Sequence, residues 1–315
     1  MTARTGQQYE ITFSDYSAII TEFGAALRKF TYKNEDVIVS LGQNDPIYCC
    51  EGQILVPFPG RIQNATYTFE NVTYTLPMDE HDRKTALHGF GNKSYWHLVE
   101  HNPQSVTLSW RMPFLNGYPF DISVQATYLL SDDGLHIQVS ATNNDSVNAP
   151  YAVAIHPWLA NGLHGKGDEI DEHNAQCRLT IPANTHVIVD DMLIPTGETC
   201  SVENTKYDLR NHPLLVDQPF DDAWIDLEYD ASGNTTATFT RPDGMEVEVG
   251  GDNSIKSFQV CSATGFPEHA HPAGVAVEPM TAYGNAFNSG KYLTVLHPQE
   301  TTCTNFFIRV VKDKN

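Results

Sequence analysis

The sequence predicts an all-β protein: one large antiparallel β-sandwich spanning residues 1–315. Three observations predict it. Apolar and polar residues alternate with period two in segment after segment. Hairpin turn chemistry separates several of these segments. No stretch carries an apolar stripe at helical spacing over three turns, and no Pro/Gly/Ser linker or fixed-period repeat divides the chain. At 315 residues and 41% apolar content the chain is long enough for a single large core.

The elements follow in order. "YEITF", "LRKFTY" and "DVIVSL" read as the first strands. "TYTFENVTYTL" reads as a hairpin turning around Glu70-Asn71. After "SVTLSW", the segment "FDISVQATYLL" places Ile122, Val124, Ala126, Tyr128 and Leu130 on one face. The turn "SDDG" returns the chain into "LHIQVSA", with Ile137 and Val139 on one face. "YAVAI", "CRLTI", "HVIV" and "AWIDLEY" continue the series. "TTATFTRPDGMEVEV" turns at Asp243-Gly244 and aligns Met245, Val247 and Val249, and "SFQV" and the terminal "NFFIRVV" complete it. Strands this numerous without interleaved helices imply sheets packed face to face.

Composition narrows the partners. With 39 acidic and 19 basic residues the net charge is -20, which speaks against nucleic acid and anionic membranes, since both need clustered Lys and Arg. The opening "MTARTGQQYE" is polar and leads into no apolar signal region, and no apolar run reaches the ~18 residues of a spanning helix. The cysteines at 49, 50, 177, 200, 261 and 303 are scattered or vicinal and read as reduced thiols. These features predict a cytoplasmic protein, in which the Asn-x-Thr triplets at Asn64, Asn71 and Asn234 stay unglycosylated.

Chemistry is expected where polar residues interrupt strands, because a sheet holds a side chain rigidly. In "GVAVEPM" a short apolar run delivers Glu278 into a proline, and in "YAVAIHPW" another delivers His156 into a proline. A carboxylate and an imidazole presented alike suit an acid–base pair at the mouth of a pocket. Arg61 follows the Pro/Gly-rich "VPFPG", and His88 lies in "LHGFG", where glycines allow close approach of a ligand. "FDDAW" offers Asp221 and Asp222 beside Trp224, while Trp158 follows His156. Carboxylates accepting from hydroxyls beside an indole suit sugar binding, although exposed turn acids look the same. Taken singly, each of these residues also fits a purely structural role.

A metal site is the competing reading of "EHAHPAGVAVE". His269 and His271 alternate as strand ligands do, with Glu278 downstream and His297 as a further candidate. Pro272 and Gly274 break the strand between them and the spacing exceeds the cupin pattern, so no metal is expected. The chain has no G-x-S-x-G elbow, P-loop or dinucleotide fingerprint, so no cofactor is expected either.

In this order, "GRIQNATYTFENVTYTL", "LHGFGNKSYWHL", "AIHPWLA", "FDDAW" and "VEPMTAYGNAFNSG" resemble the aldose 1-epimerase (galactose mutarotase) family, and the likeness runs over nearly the whole chain. The "EPMT…NAF" form is most similar to a bacterial, aldose-epimerase-like branch. The resemblance implies a galactose mutarotase-like supersandwich with an open carbohydrate cleft, acting as a monomer or homodimer on a small-molecule sugar without metal or cofactor. It implies Glu278 as general base, His156 as general acid, His88 and Arg61 binding and polarising the sugar, and Asp221 accepting from a hydroxyl. Three positions depart from the family pattern: Gly60 stands where Asn usually precedes the arginine, Phe90 replaces a second glycine, and Asp222 replaces the usual His.

Two rivals remain at this level. A hexose-6-phosphate epimerase would need basic residues converging on a phosphate, for which Arg61, Lys93 and Arg83 are the candidates. A non-catalytic carbohydrate-binding sandwich would tolerate loss of the acid or the base. The pair further predicts a bell-shaped pH dependence, with limbs displaced from about 4.3 and about 6.5. Mutual attraction would push the two limbs apart.

Overall fold

The computed structural model describes residues 3–163 and 168–314. Its strand pairings are antiparallel, apart from an isolated parallel bridge between Val56 and Gly89. Two eight-stranded sheets form the sandwich. The first runs His97–Asn102, Ser105–Arg111, Ile122–Ser131, Gly134–Asn143, Thr301–Lys312, Glu246–Gly251, Thr235–Thr240 and Arg178–Thr180. The second runs Pro195–Ser201, Ala183–Val189, Asp221–Leu227, Ser257–Cys261, Gly274–Met280, Ala154–Ile155 and Ile54–Leu55, with Trp158–Ala160 also paired to Gly274–Met280. A four-stranded sheet near the N-terminus and short two-stranded ribbons flank them.

The alternation read from the sequence is the alternation that packs. Ile122, Val124, Ala126, Tyr128 and Leu130 are buried together with Ile137, Val139, Met245, Val247 and Val249. From the second sheet, Trp224, Phe258, Val260, Val275 and Val277 enter the same cluster. Each such side chain contributes about 1.5–3 kcal/mol by leaving water, which is why register is so strongly specified here. The three hairpins turn where their chemistry predicts. At Glu70-Asn71 both residues take positive φ, +47° and +66°, as the tightest hairpin turns require.

Some expectations are corrected. "DVIVSL" is not a strand: only Glu35–Asp36 pairs, with Thr31–Tyr32, and beyond it there is one isolated bridge, Ile38 to Leu159. Val37 and Ile38 are buried nonetheless, so their apolarity reflects packing rather than a ladder. Two helices are present, Asp168–Asn174 and Ala286–Ser289, both too short to show a helical stripe. Glu278 does not end its strand either. Gly274–Met280 continues through Pro279, which pairs with Phe258, and all seven residues are buried.

Candidate active site

Register assembles the site. In the second sheet Ala154 pairs with Met280 and Trp158 with Ala276, so His156 falls opposite Glu278 across two neighbouring strands. Pro157 has no N–H to donate, and at His156-Pro157 the ladder opens before resuming at Trp158. Gln259 pairs with Glu278 on the other side, and Ala223 with Gln259. One row across the sheet therefore reads Ala223, Gln259, Glu278, His156. The next reads Asp221, Cys261, Ala276, Trp158. Both rows point to one face, the floor of a cleft of about 930 Å³ counting its part open to solvent.

Glu278 and His156 are 2% and 6% exposed, so they lie in the floor and not at the mouth. Glu278 Oε1 is 3.3 Å from His156 Nε2. The other carboxylate oxygen and His156 Nδ1 have no protein hydrogen-bond partner among the described residues. Burial holds the Glu278 carboxyl well above the usual carboxylate range; Asp221 adds to this and Arg61 opposes it. Burial likewise pulls the His156 imidazole down to about 4. Desolvation thus outweighs the mutual attraction expected of the pair, and its displacements run opposite to those predicted from attraction alone.

A two-stranded ribbon, Arg61–Gln63 against Thr85–Leu87, delivers the remaining polar groups from above. Arg61 Nε donates to Glu80 Oε2 at 2.8 Å, and its terminal nitrogens reach Glu80 Oε1 and Asp221 Oδ2, each at 3.4 Å. Gln259 Nε2 donates to Asp221 Oδ1 at 2.7 Å. His88 Nδ1 accepts from the Gly60 N–H at 3.1 Å, which leaves Nε2 as the N–H of the neutral ring. Burial, helped by His156, Arg61 and Lys93, holds His88 well below the ordinary imidazole range. The ring stands edge-on to His156, centroids 5.4 Å apart.

Gly60 takes φ +66°, and a Cβ there would lie 2.8 Å from the Gly284 Cα. The departure from Asn at this position therefore has a local steric reason. Phe90 packs edge-on against Phe58 in the core. Asp222 faces away from the cleft, with Oδ1 2.7 Å from His186 Nε2, so Asp221 is the member of the pair that lines it.

Trp158 lines the cleft and donates from Nε1 to the Cys49 carbonyl at 2.9 Å. Trp224 does not line it. One position along from Ala223, it points to the opposite face, is fully buried, and donates to the Tyr207 carbonyl at 2.8 Å. Its assignment to a sugar is corrected by strand parity. The cupin-like grouping does not assemble: His269 packs edge-on against Tyr48, His271 lies 3.2 Å from Asp171, and His297 Nδ1 is 2.9 Å from Asn148 Oδ1.

Sequence reasoning missed Gln259 and Glu80. Gln259 had a signal, a polar residue in phase with the cleft face of "SFQVC", once Glu278 had fixed that face. Glu80 sits in the charged turn "MDEHDRK" and had none.

Known proteins share this fold and family. The family described as aldose 1-epimerase matches residues 7–306. An uncharacterised Escherichia coli K12 protein, YihR, is 31% identical over 93% of this chain and 89% of its own length. Galactose mutarotase of Bos taurus is 24% identical over 70% of this chain and 67% of its own. Among solved structures, a GalM/aldose epimerase homologue from C. elegans superposes with a TM-score of 0.84 at 23% identity, covering 98% of this chain and 99% of that one.

Proposed function

Because the chain belongs to the aldose 1-epimerase family, we propose that it interconverts the α and β anomers of an unphosphorylated hexose. Glu278 takes the proton of the C1 hydroxyl while His156 delivers one to the ring oxygen. The C1–O5 bond opens, the aldehyde rotates, and the ring closes on its other face with the roles reversed. Nothing is oxidised and no group leaves, so a carboxylate and an imidazole suffice. His88 donates from Nε2, Asp221 accepts a hydroxyl, Arg61 polarises the sugar and Trp158 supplies an apolar wall. Acid–base catalysis of this kind is worth about 10²–10⁴-fold.

The observation that carries this reading is the cross-strand placement of His156 and Glu278, 3.3 Å apart at the floor of a cleft. Each has one further polar atom without a protein partner. A purely binding sandwich has no need of a buried ionisable pair, which costs stability. The cations weigh against a phosphorylated substrate. Arg61 is held by Glu80 and Asp221, Arg83 by Glu80 at 3.1 Å, and Lys93 by Asp79. No cation of that trio is left over for a phosphate. All six cysteines are free thiols, which supports a reducing, cytoplasmic setting.

Polarimetry of freshly dissolved α-D-glucose and α-D-galactose, beside glucose 6-phosphate and galactose 6-phosphate, tests the proposal. Faster equilibration of a free hexose is the expected result. Acceleration confined to the phosphates would establish the rival, and none with any sugar would leave only binding.

A further inference from the structure

His156 lacks what normally aims a catalytic imidazole, a third group hydrogen-bonded to the ring. Its Nδ1 has no protein partner among the described residues, and Nε2 faces only Glu278. Ring packing against Trp158 and His88 and the backbone on either side of it hold it in place. The Gly52 N–H donates to the His156 carbonyl at 2.8 Å, and the His156 N–H donates to the Gln53 carbonyl at 3.2 Å. The same turn holds the next side chain along, because the Cys49 carbonyl accepts from Trp158 Nε1.

That turn does not hold itself. Cys50 sits at φ +54°, a left-handed conformation unfavourable for a residue with a Cβ. Gly52 sits at φ +69° with its carbonyl accepting from Leu27 N–H, so close that a Cβ would lie 2.1 Å from the Leu27 oxygen. Beneath the turn lies Glu51, only 6% exposed. Its Oε2 accepts from the Cys49 N–H at 2.9 Å. Glu51 does not line the cleft and makes no ion pair among the described residues. We infer that Glu51 is a positioning residue for the reaction: its buried carboxylate gathers the 48–52 turn, and the turn fixes His156 against Glu278. Burial raises this carboxyl above the ordinary carboxylate range, and the backbone N–H groups offset only part of that.

The inference rests on the proposed acid–base role of His156, so the test reads both activity and the ring itself. Glu51→Gln keeps the shape and one acceptor oxygen but removes the charge and puts an N–H₂ in place of the second oxygen, while Glu51→Asp keeps both acceptors on a shorter stem. Glu51→Gln is expected to lower kcat by about 10–100-fold, as loss of a supporting hydrogen-bond partner does elsewhere, with little change in KM. It is also expected to move the ¹⁵N resonances of the His156 ring, and Glu51→Asp should lie between it and wild type in both. A variant that melts earlier yet keeps wild-type kcat and wild-type ring resonances would reduce Glu51 to a structural anchor and overturn the inference. If Glu51→Gln does not fold, Glu51→Asp with unchanged kcat and ring signals overturns it equally. If wild type accelerates no sugar, the proposed function falls while the ring resonances still decide the positioning role.

Discussion

Of the two eight-stranded sheets, one joins Ile122–Ser131 to Gly134–Asn143 through ten unbroken residue pairs, and the other breaks its ladder at His156-Pro157. Between those two strands, uninterrupted register commits alternate side chains to the core and contributes stability. In the second sheet, a two-residue and a three-residue strand flank the break, and ionisable side chains occupy positions where burial disfavours their charge. The difference teaches where chemistry can be housed. The opened ladder sets an imidazole beside a carboxylate on the cleft face, whereas the comparable His186–Asp222 pair on the regularly paired strands of the same sheet faces away from the cleft.

The comparison is sharpened most by Glu278→Gln. The floor should lose function and keep structure, with mutarotation falling about 10²–10⁴-fold and thermal unfolding staying cooperative. More than a tenth of the wild-type rate above the spontaneous background would remove Glu278 from the role of base. The pH dependence comes next. With His156 lowered to about 4 and Glu278 raised, the pair holds one proton across the interval between them. kcat/KM should be flat there, falling below about pH 4 and again above the raised carboxyl value. The alkaline limb thus belongs to the carboxyl, and a limb near 6.5 lost in His156→Asn would contradict this.

Stability follows the same groups with a definite sign. The depressed imidazole contributes stability that is present above its ordinary 6.5 and lost as pH falls toward about 4. The raised carboxyl contributes below the ordinary carboxylate range, and its contribution is lost as pH rises through its folded value. Glu278→Gln should therefore melt above wild type at alkaline pH, and a variant melting below it would break the argument.

A smaller effect separates the two faces of one strand. Asp221→Asn should raise KM about tenfold, the ~1.4 kcal/mol of one charge-assisted contact, with little loss of stability. Asp222→Ala should do the reverse, costing about 1–3 kcal/mol by leaving His186 without its acceptor. Calorimetry and polarimetry of the two variants would expose a reversed assignment at once. The smallest effect is expected from chelation followed by dialysis, or from His269→Ala with His271→Ala, neither of which should change the rate. A stoichiometric metal whose removal abolished activity would overturn the proposed mechanism.

How much was legible follows from the same contrast. The regular sheet can be read residue by residue, since burial on one face writes itself as alternation, and Asp-Gly and Glu-Asn turns mark its corners. At His156 a proline marked a real interruption, at Glu278 the strand runs on through Pro279, and Arg61, His88 and Asp221 were legible as polar residues beside turns. Trp158 and Trp224 show the limit. Each is a tryptophan beside polar residues at a strand, and only the strand's phase relative to the cleft sends one to the ligand and the other to the core. Gln259 depended on that phase as well. "DVIVSL" failed for another reason: alternation reports burial, and burial needs no ladder partner.

The placement of the reacting pair within a ladder, with loops only at the rim, has an evolutionary consequence. Glu278 and His156 inherit their spacing from backbone pairing, so no insertion nearby can adjust it gradually. The walls are different: Leu193 at the 190–194 turn and Phe266 after the Ser257–Cys261 strand lie in surface connections, the kind of segment that tolerates length changes. Diversification of such a chain is thus channelled, with the reaction frozen in the floor and the choice of sugar free to drift along the rim. Sequence variation among descendants should accumulate in those two connections and spare the rows that cross the sheet.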